Sequence, residues 1–338
     1  LLSLRDSTDS ALYQPSQAHG CPGLTIKFLE GLLSQAAESH AVPAHIPPAT
    51  KIPPAWIVGM AVAPFGLVVG FTITALPFLL THLGIPLYRV AAISATVMSP
   101  TFWGFLLLPI VDTGLTRRAY CWLTATVAAI CMAVALLLMS LSHLGTATAL
   151  LLVGELAIVL FAGAVGGWTA EFTPDSLRGS VSGWTNVANL GCGALGALAV
   201  MSLAPHIALY WIGLCLAGCI VLGTLPTVLF PEPKKSSLRF RQIFTDAMKT
   251  TWKASKTKEC LTGFALFLAP ASAEAAINLF SGMGNDFQTS AHTVIWITGA
   301  GCAISTSLGA LLGGYAANRV SRGYLYVCAG ITASLTAL

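Results

Sequence analysis

The sequence predicts an all-α membrane protein, a polytopic helical bundle, and three observations carry that reading. The 338 residues are 55% hydrophobic and only 9% charged, against about 25% charged in an ordinary soluble domain. Apolar stretches of about 20 residues, the length that crosses a bilayer, recur along most of the chain. Every Lys and Arg except Arg89 falls on one side when successive loops are assigned to alternate faces, as the positive-inside rule requires. A mean hydropathy of +0.78 leaves too little charge to cover a soluble surface.

Residues 1–55 read as a polar, Pro-rich arm on the basic side. Within it Ile26, Leu29, Leu32, Leu33 and Ala36 recur at helical spacing, the pattern of a short amphipathic helix. Six apolar stretches follow at 56–80, 88–111, 119–141, 147–170, 180–203 and 207–230, so 56–230 is expected to be an N-terminal six-span bundle. Pro64, Pro77, Pro100, Pro109 and Pro226 lie inside these stretches with apolar flanks, which marks kinks rather than boundaries.

Residues 231–259 form a basic linker on the same side as the arm. Phe240, Ile243, Phe244, Ala247, Met248 and Thr251 share one helical face there, so a helix lying on an anionic leaflet is expected. Three more apolar stretches, 260–281, 291–316 and 323–338, begin a second bundle over 260–338. The last is short and stops without a polar flank, and the chain opens on Leu1 with no leader pattern. The expectation is eight complete spans plus a partial ninth, the second half-bundle being truncated. A chain cut at that point is expected to show no uptake by itself.

The 32 glycines lie mostly within apolar runs, where small residues let membrane helices approach closely. Gly191-Cys192-Gly193-Ala194-Leu195-Gly196 spells a dinucleotide fingerprint, but it sits inside an apolar span with no strand before it, and close packing is the better reading. The nine cysteines contain no Cys-x-x-Cys pair. Neither a disulfide framework nor a zinc site is implied, and no cofactor or metal is expected. No nucleotide-binding loop is present, which disfavours an ATP-driven pump.

Two short stretches look like copies of one turn. Asp112 to Arg118 reads Asp-Thr-Gly-Leu-Thr-Arg-Arg, and Asn318 to Arg322 reads Asn-Arg-Val-Ser-Arg, roughly 200 residues apart, as half-repeats of a transporter would place them. The second copy, Gly314 to Arg322, fits the pattern Gly-x-x-x-Asp-Arg-x-x-Arg-(Arg or Lys) that joins the second and third spans of the major facilitator superfamily, with Asn318 replacing Asp. The first copy keeps Asp112, but Arg117-Arg118 sit one place late, Thr113 replaces the first basic residue and Leu108 replaces the Gly. Glu171 through Gly179 resembles that family's turn after the fourth span, and Pro231-Glu232-Pro233-Lys234 its Pro-Glu signature after the sixth. Over 56–338 the chain therefore resembles the major facilitator superfamily. Leu108 to Asp112 and the run Gly309 to Gly314 into Arg319 are most similar to the branch of muropeptide permeases and acetyl-CoA transporters.

The resemblance implies two six-helix half-repeats, alternating access and a monomer. It also implies a cytoplasmic gate built from Asp112, Arg117, Arg118, Glu171, Arg178, Asn318, Arg319 and Arg322. Arg117 and Arg118 have a plainer alternative as topology anchors. Glu155 and Glu274 lie well inside the fourth and seventh stretches, on helices that line the family's cavity, with Asn278 one turn beyond Glu274. Each carboxylate costs a few kcal/mol at a helix centre unless it meets water or a partner. Glu274, then Glu155, are expected to hold the transported proton or a cationic cargo group, the alternative being a structural bond to a neighbouring helix. Asn186, Asn189, Ser305, Thr306 and Ser307 could bind cargo or tie helices together.

The expected activity is secondary active transport, proton-coupled, of a small or medium organic solute of muropeptide-, acyl-CoA- or siderophore-like kind. The implied partners are that solute, protons and the lipid bilayer, with no nucleic acid and no enzymatic turnover. A polytopic membrane transferase and a transporter-derived receptor are the alternatives. The expected location is a plasma (bacterial inner) membrane, with the amino terminus cytoplasmic.

Overall fold

Six apolar segments form helices long and apolar enough to cross a membrane. They are α1 (Ala55–His82), α2 (Leu87–Asp112), α3 (Arg117–Met139), α4 (Leu144–Phe172), α5 (Arg178–Leu203) and α6 (Leu209–Leu229). The computed structural model describes residues 53–112, 114–140, 143–232, 244–245, 249–250, 252–253, 255–258, 260–263 and 296–336. The chain divides at Pro48 into two units, and every described residue belongs to the second. In the C-terminal part, a wide π turn at Trp296–Gly301 leads into α7 (Cys302–Ala316), and α8 (Arg322–Thr336) follows. Among the described residues there is no strand.

The six apolar stretches expected over 56–230 are therefore present as helices long enough to cross a membrane, with ends shifted by a few residues. Most of the expected seventh span, the arm over 1–52 and most of the amphipathic stretch in the linker lie outside the described residues. The expected ninth span contributes the apolar helix Gly323–Ala333, shorter than a bilayer crossing.

Proline shapes several of these helices. Pro77 offers no N–H and its ring crowds the carbonyl four residues back. The preceding turn of α1 widens to a π turn over Phe71–Ala75, where the Leu76 N–H reaches back five residues to the Phe71 carbonyl. Around Pro109, α2 tightens into a 3-10 stretch over Gly104–Asp112, and α6 ends the same way at Leu225–Leu229 around Pro226. Gly84 and Gly114 take φ of 76° and 73° in the turns that follow α1 and α2, a left-handed geometry that costs glycine nothing.

Packing centres on α3, which lies against α4 and α6, while α1 packs on α5, α6 and α4, and α2 packs on α4. Small residues make the approach possible: Ala125, Ala128 and Ala135 on α3 and Ala157 and Ala164 on α4 are all buried, and a Cβ on Gly154 of α4 would stand 3.7 Å from the Ala128 carbonyl oxygen of α3. The α1–α5 contact is closer still, because a Cβ on Gly193 would stand 2.7 Å from the Gly66 carbonyl oxygen. Gly191 faces Ser307 of α7 and Gly196 faces Leu67 of α1, so the glycine fingerprint serves helix packing. Leu87, Phe102, Ile130, Leu195, Leu222 and Leu229 are exposed on the outside, a surface suited to acyl chains.

Candidate functional site

Two places on this scaffold gather polar chemistry. The first is inside the bundle. Glu155 projects from α4 between Leu151 and Ile158, one turn away on either side, and is only 1% exposed. Its Oε2 stands 3.0 Å from Thr72 Oγ1 and its Oε1 3.4 Å from Thr101 Oγ1. Thr72 belongs to the π turn of α1 and is itself fully buried, while Thr101 comes from α2. The Thr72 hydroxyl is also 3.0 Å from the Val68 carbonyl oxygen. Three helices thus meet on one carboxyl group, and among the described residues none of the ion pairs includes it. Glu274 and Asn278 lie outside the described residues.

The second place is the bundle end that carries the basic turns. After Asp112 the chain reverses at Gly114, and Thr116 caps α3 by accepting the Ala119 N–H on its Oγ1 at 3.2 Å. That cap aims Arg117 across the end of the bundle. Its Nη2 meets Asp112 Oδ1 and its Nη1 meets Glu171 Oε2, both at 3.0 Å. The two carboxylates are about half exposed, so each pair contributes roughly 1 kcal/mol or less.

Arg118 turns the other way. Its Nη2 donates to the Phe230 carbonyl at 2.8 Å and its guanidinium lies 6.0 Å over the Trp168 ring. The Trp168 Nε1–H donates to the Pro231 carbonyl at 2.7 Å, and Phe230 packs edge-on against Trp168 and Phe172. Arg118 therefore grips the exit of α6 rather than the Asp112–Glu171 pair.

Arg178 opens α5 and pairs with Asp175 at 2.9 Å. Asn318, just past α7, reaches α5. Its Oδ1 accepts the Gly179 N–H at 2.9 Å and its Nδ2 donates to Ser180 Oγ at 2.6 Å. Trp184 Nε1 adds a hydrogen bond to the Tyr315 hydroxyl at 3.2 Å. Arg319 is exposed, and Arg322 begins α8. Of the eight residues expected in one network, six fall into separate groups: an Arg117 bridge to Asp112 and Glu171, an Arg118 clamp, a local Arg178 pair and an Asn318 link. Arg319 joins none of them among the described residues, and the Arg322 side chain lies outside those described.

Along the same seam α5 and α7 run close together, leaving a cleft of about 470 Å³ lined by Arg178, Ser182, Asn186, Ala310 and Gly313 among others. Asn186 lines it with its Nδ2 donating to the Ser182 carbonyl at 2.9 Å. Thr306 Oγ1 donates to the Ala303 carbonyl at 3.2 Å. No three His, Cys, Asp or Glu side chains converge as metal ligands among the described residues.

Sequence reasoning did not single out Thr72, Thr101, Trp168, Ser180 or Tyr315. A threonine within a span usually bonds its own helix backbone, so nothing local marks Thr72 as the partner of an acid 83 residues away. Compared with known proteins, the chain matches no protein-family model, no curated protein and no solved structure.

Proposed function

We propose that the protein is a secondary active transporter of the major facilitator type, working by alternating access and linked to protons. The observation that carries this reading is the seam between α5 and α7. It joins segments 139 residues apart, one from each expected half, through close-packed glycines, the Asn318 side chain and one Trp184–Tyr315 hydrogen bond. Glycine lets the backbones touch with few interlocking side chains, so two rigid halves can part there without repacking a core. The Asn318 hydrogen bonds contribute about 1 kcal/mol each. That is small enough to be exchanged in a transition between states a few kcal/mol apart.

In this reading the basic end is cytoplasmic, as is the amino terminus, and the bundle sits in a plasma (bacterial inner) membrane as a monomer. Asn318 is the latch that closes the cytoplasmic side, while the Arg117 bridge and the Arg118 clamp keep the first half rigid as it moves. Glu155 handles the proton rather than the cargo, because its carboxyl is spent on α1 and α2. Eight or more spans and a muropeptide-, acyl-CoA- or siderophore-like cargo belong to the same proposal.

The test is uptake by the native protein in proteoliposomes under an imposed proton gradient, with labelled muropeptides, acyl-CoA esters and ferric siderophores. Accumulation above equilibrium that a protonophore abolishes is the expected result. A protein that turns over an acyl or glycosyl donor while moving no solute overturns the reading in favour of a membrane transferase.

A further inference from the structure

Thr72 has one hydroxyl hydrogen and two neighbours at hydrogen-bond distance, the Val68 carbonyl oxygen and Glu155 Oε2, each at 3.0 Å. The carbonyl can only accept. If Thr72 gives its hydrogen to Val68, Glu155 Oε2 must supply the hydrogen for the other contact. Glu155 then carries a proton on Oε2, donates to Thr72 and accepts from Thr101 on Oε1, and every hydrogen has one acceptor.

The surroundings favour that assignment. An ionised carboxylate buried in a membrane interior requires a cation or several strong donors. Between its ends α1 carries no ionisable side chain, and α2 has Tyr88 and Arg89 near one end and Asp112 at the other. On α3 the ionisable groups are Arg117, Arg118, Tyr120 and Cys121 at the basic end and Cys131, whose Cβ lies 3.2 Å from where a Cβ on Gly154 would stand. No cation faces the carboxyl from the described helices packed on it.

We propose that Thr72 and Thr101 are positioning residues that clasp Glu155 as a neutral carboxylic acid, closing α1, α2 and α4 around it, and that loss of its proton to water releases the clasp. This rests on the proton-linked reading above and extends it to named partners. When Glu155 gives up its proton, Thr72 must choose between Val68 and the carboxylate, which among the described residues faces two weak donors and no cation. The π turn of α1 is the element that then shifts, because its widened turn already departs from regular helical hydrogen bonding. When Oε2 takes a proton back from water, the three hydrogen bonds reform and the helices close.

Infrared difference spectroscopy of the native protein in lipid nanodiscs tests this. At neutral pH the wild type should show a protonated carboxyl C=O band that is lost in Glu155→Gln. The band should shift to higher frequency in Thr72→Val, where its donor loses an acceptor, and return in Thr72→Ser. Thr101→Val should shift it separately. A Glu155 that shows no protonated band near neutral pH overturns the clasp, even if transport is proton-driven. An unshifted band in Thr72→Val overturns the positioning role. A band that behaves as expected, in a protein whose uptake ignores the proton gradient, supports the clasp and sinks only the coupling.

Discussion

Asn318 reaches across the seam to Ser180 with an Nδ2 to Oγ distance of 2.6 Å, while its Oδ1 takes the Gly179 amide hydrogen at 2.9 Å. The asparagine supplies one acceptor and one donor to two neighbouring groups at the start of α5. An aspartate could accept both the Gly179 N–H and the Ser180 hydroxyl hydrogen, and a leucine neither. Asn318→Asp should therefore hold the seam and Asn318→Leu should weaken it by roughly 1–2 kcal/mol, the worth of two hydrogen bonds. Thermal unfolding in detergent reads this. A double-mutant cycle with Ser180→Ala should give a coupling energy for Asn318→Leu of about 1 kcal/mol. Zero coupling would show that the side chains touch without stabilising the seam.

The seam also predicts opposite outcomes for adjacent glycines. A Cβ on Gly314 would come 2.6 Å from the Gly179 carbonyl oxygen and 2.8 Å from the Gly183 Cα, and backbone cannot step aside. A Cβ on Gly313 meets nothing within 4 Å. Gly314→Ala should destabilise by about 1–3 kcal/mol through overpacking, whereas Gly313→Ala should be neutral or slightly stabilising. Cross-linking between cysteines placed at Ser180 and Asn318 should fall only in the Gly314→Ala background. Equal effects at both glycines would mean that the helices are not in backbone contact.

Arg117 and Arg118 are neighbours in sequence and opposites in setting. Arg117 holds carboxylates that are about half exposed, so Arg117→Ala should cost about 1 kcal/mol or less and lose most of that effect in high salt. Arg118 holds a backbone carbonyl and lies against Trp168 beside the Phe230 pocket. Arg118→Ala should cost about 2–3 kcal/mol, since a charged hydrogen bond is lost along with packing, and salt should change it little. Trp168→Phe should cost about 1–3 kcal/mol by leaving the Pro231 carbonyl without its donor. Melting temperatures at low and high salt separate the cases. A salt-sensitive Arg118→Ala would place that side chain in the charge network after all.

Much of this architecture is legible in the residues. The charge shortage and the recurring apolar stretches dictate membrane-length helices, and Pro77 and Pro109 lie in spans that continue past them, since irregular turns absorb their missing hydrogen bonds. The glycines at 191, 193 and 196 are likewise readable as packing. What sequence could not supply is direction. Arg117 and Arg118 are equivalent on paper, but successive residues on a helix point about 100° apart, so one meets Glu171 and the other Phe230. Glu155 stood out because an acid in an oily helix is conspicuous. Its partners did not, because threonines occur in most of these spans and only tertiary packing selects Thr72 and Thr101.

The clasp around Glu155 makes a thermodynamic prediction that transport measurements cannot supply. In the wild type, Thr72→Val removes the acceptor for the Glu155 hydrogen and leaves a buried polar group unsatisfied, which costs about 1–3 kcal/mol. Glu155→Leu removes the acid instead. Thr72 then keeps its bond to the Val68 carbonyl at 3.0 Å, and Thr101, which is exposed, can turn its hydroxyl to a carbonyl of its own helix. Replacing a buried acid by an apolar residue of similar volume is often close to neutral. Thr72→Val should therefore cost more than Glu155→Leu, and in the Glu155→Leu background its cost should fall by at least half. Glu155→Gln should remain near wild type, since the amide can donate to Thr72 and accept from Thr101. Thermal unfolding of the four proteins of the cycle gives the coupling directly. Additive costs would mean that Thr72 serves only its own helix, through Val68, and that Glu155 is held by something else.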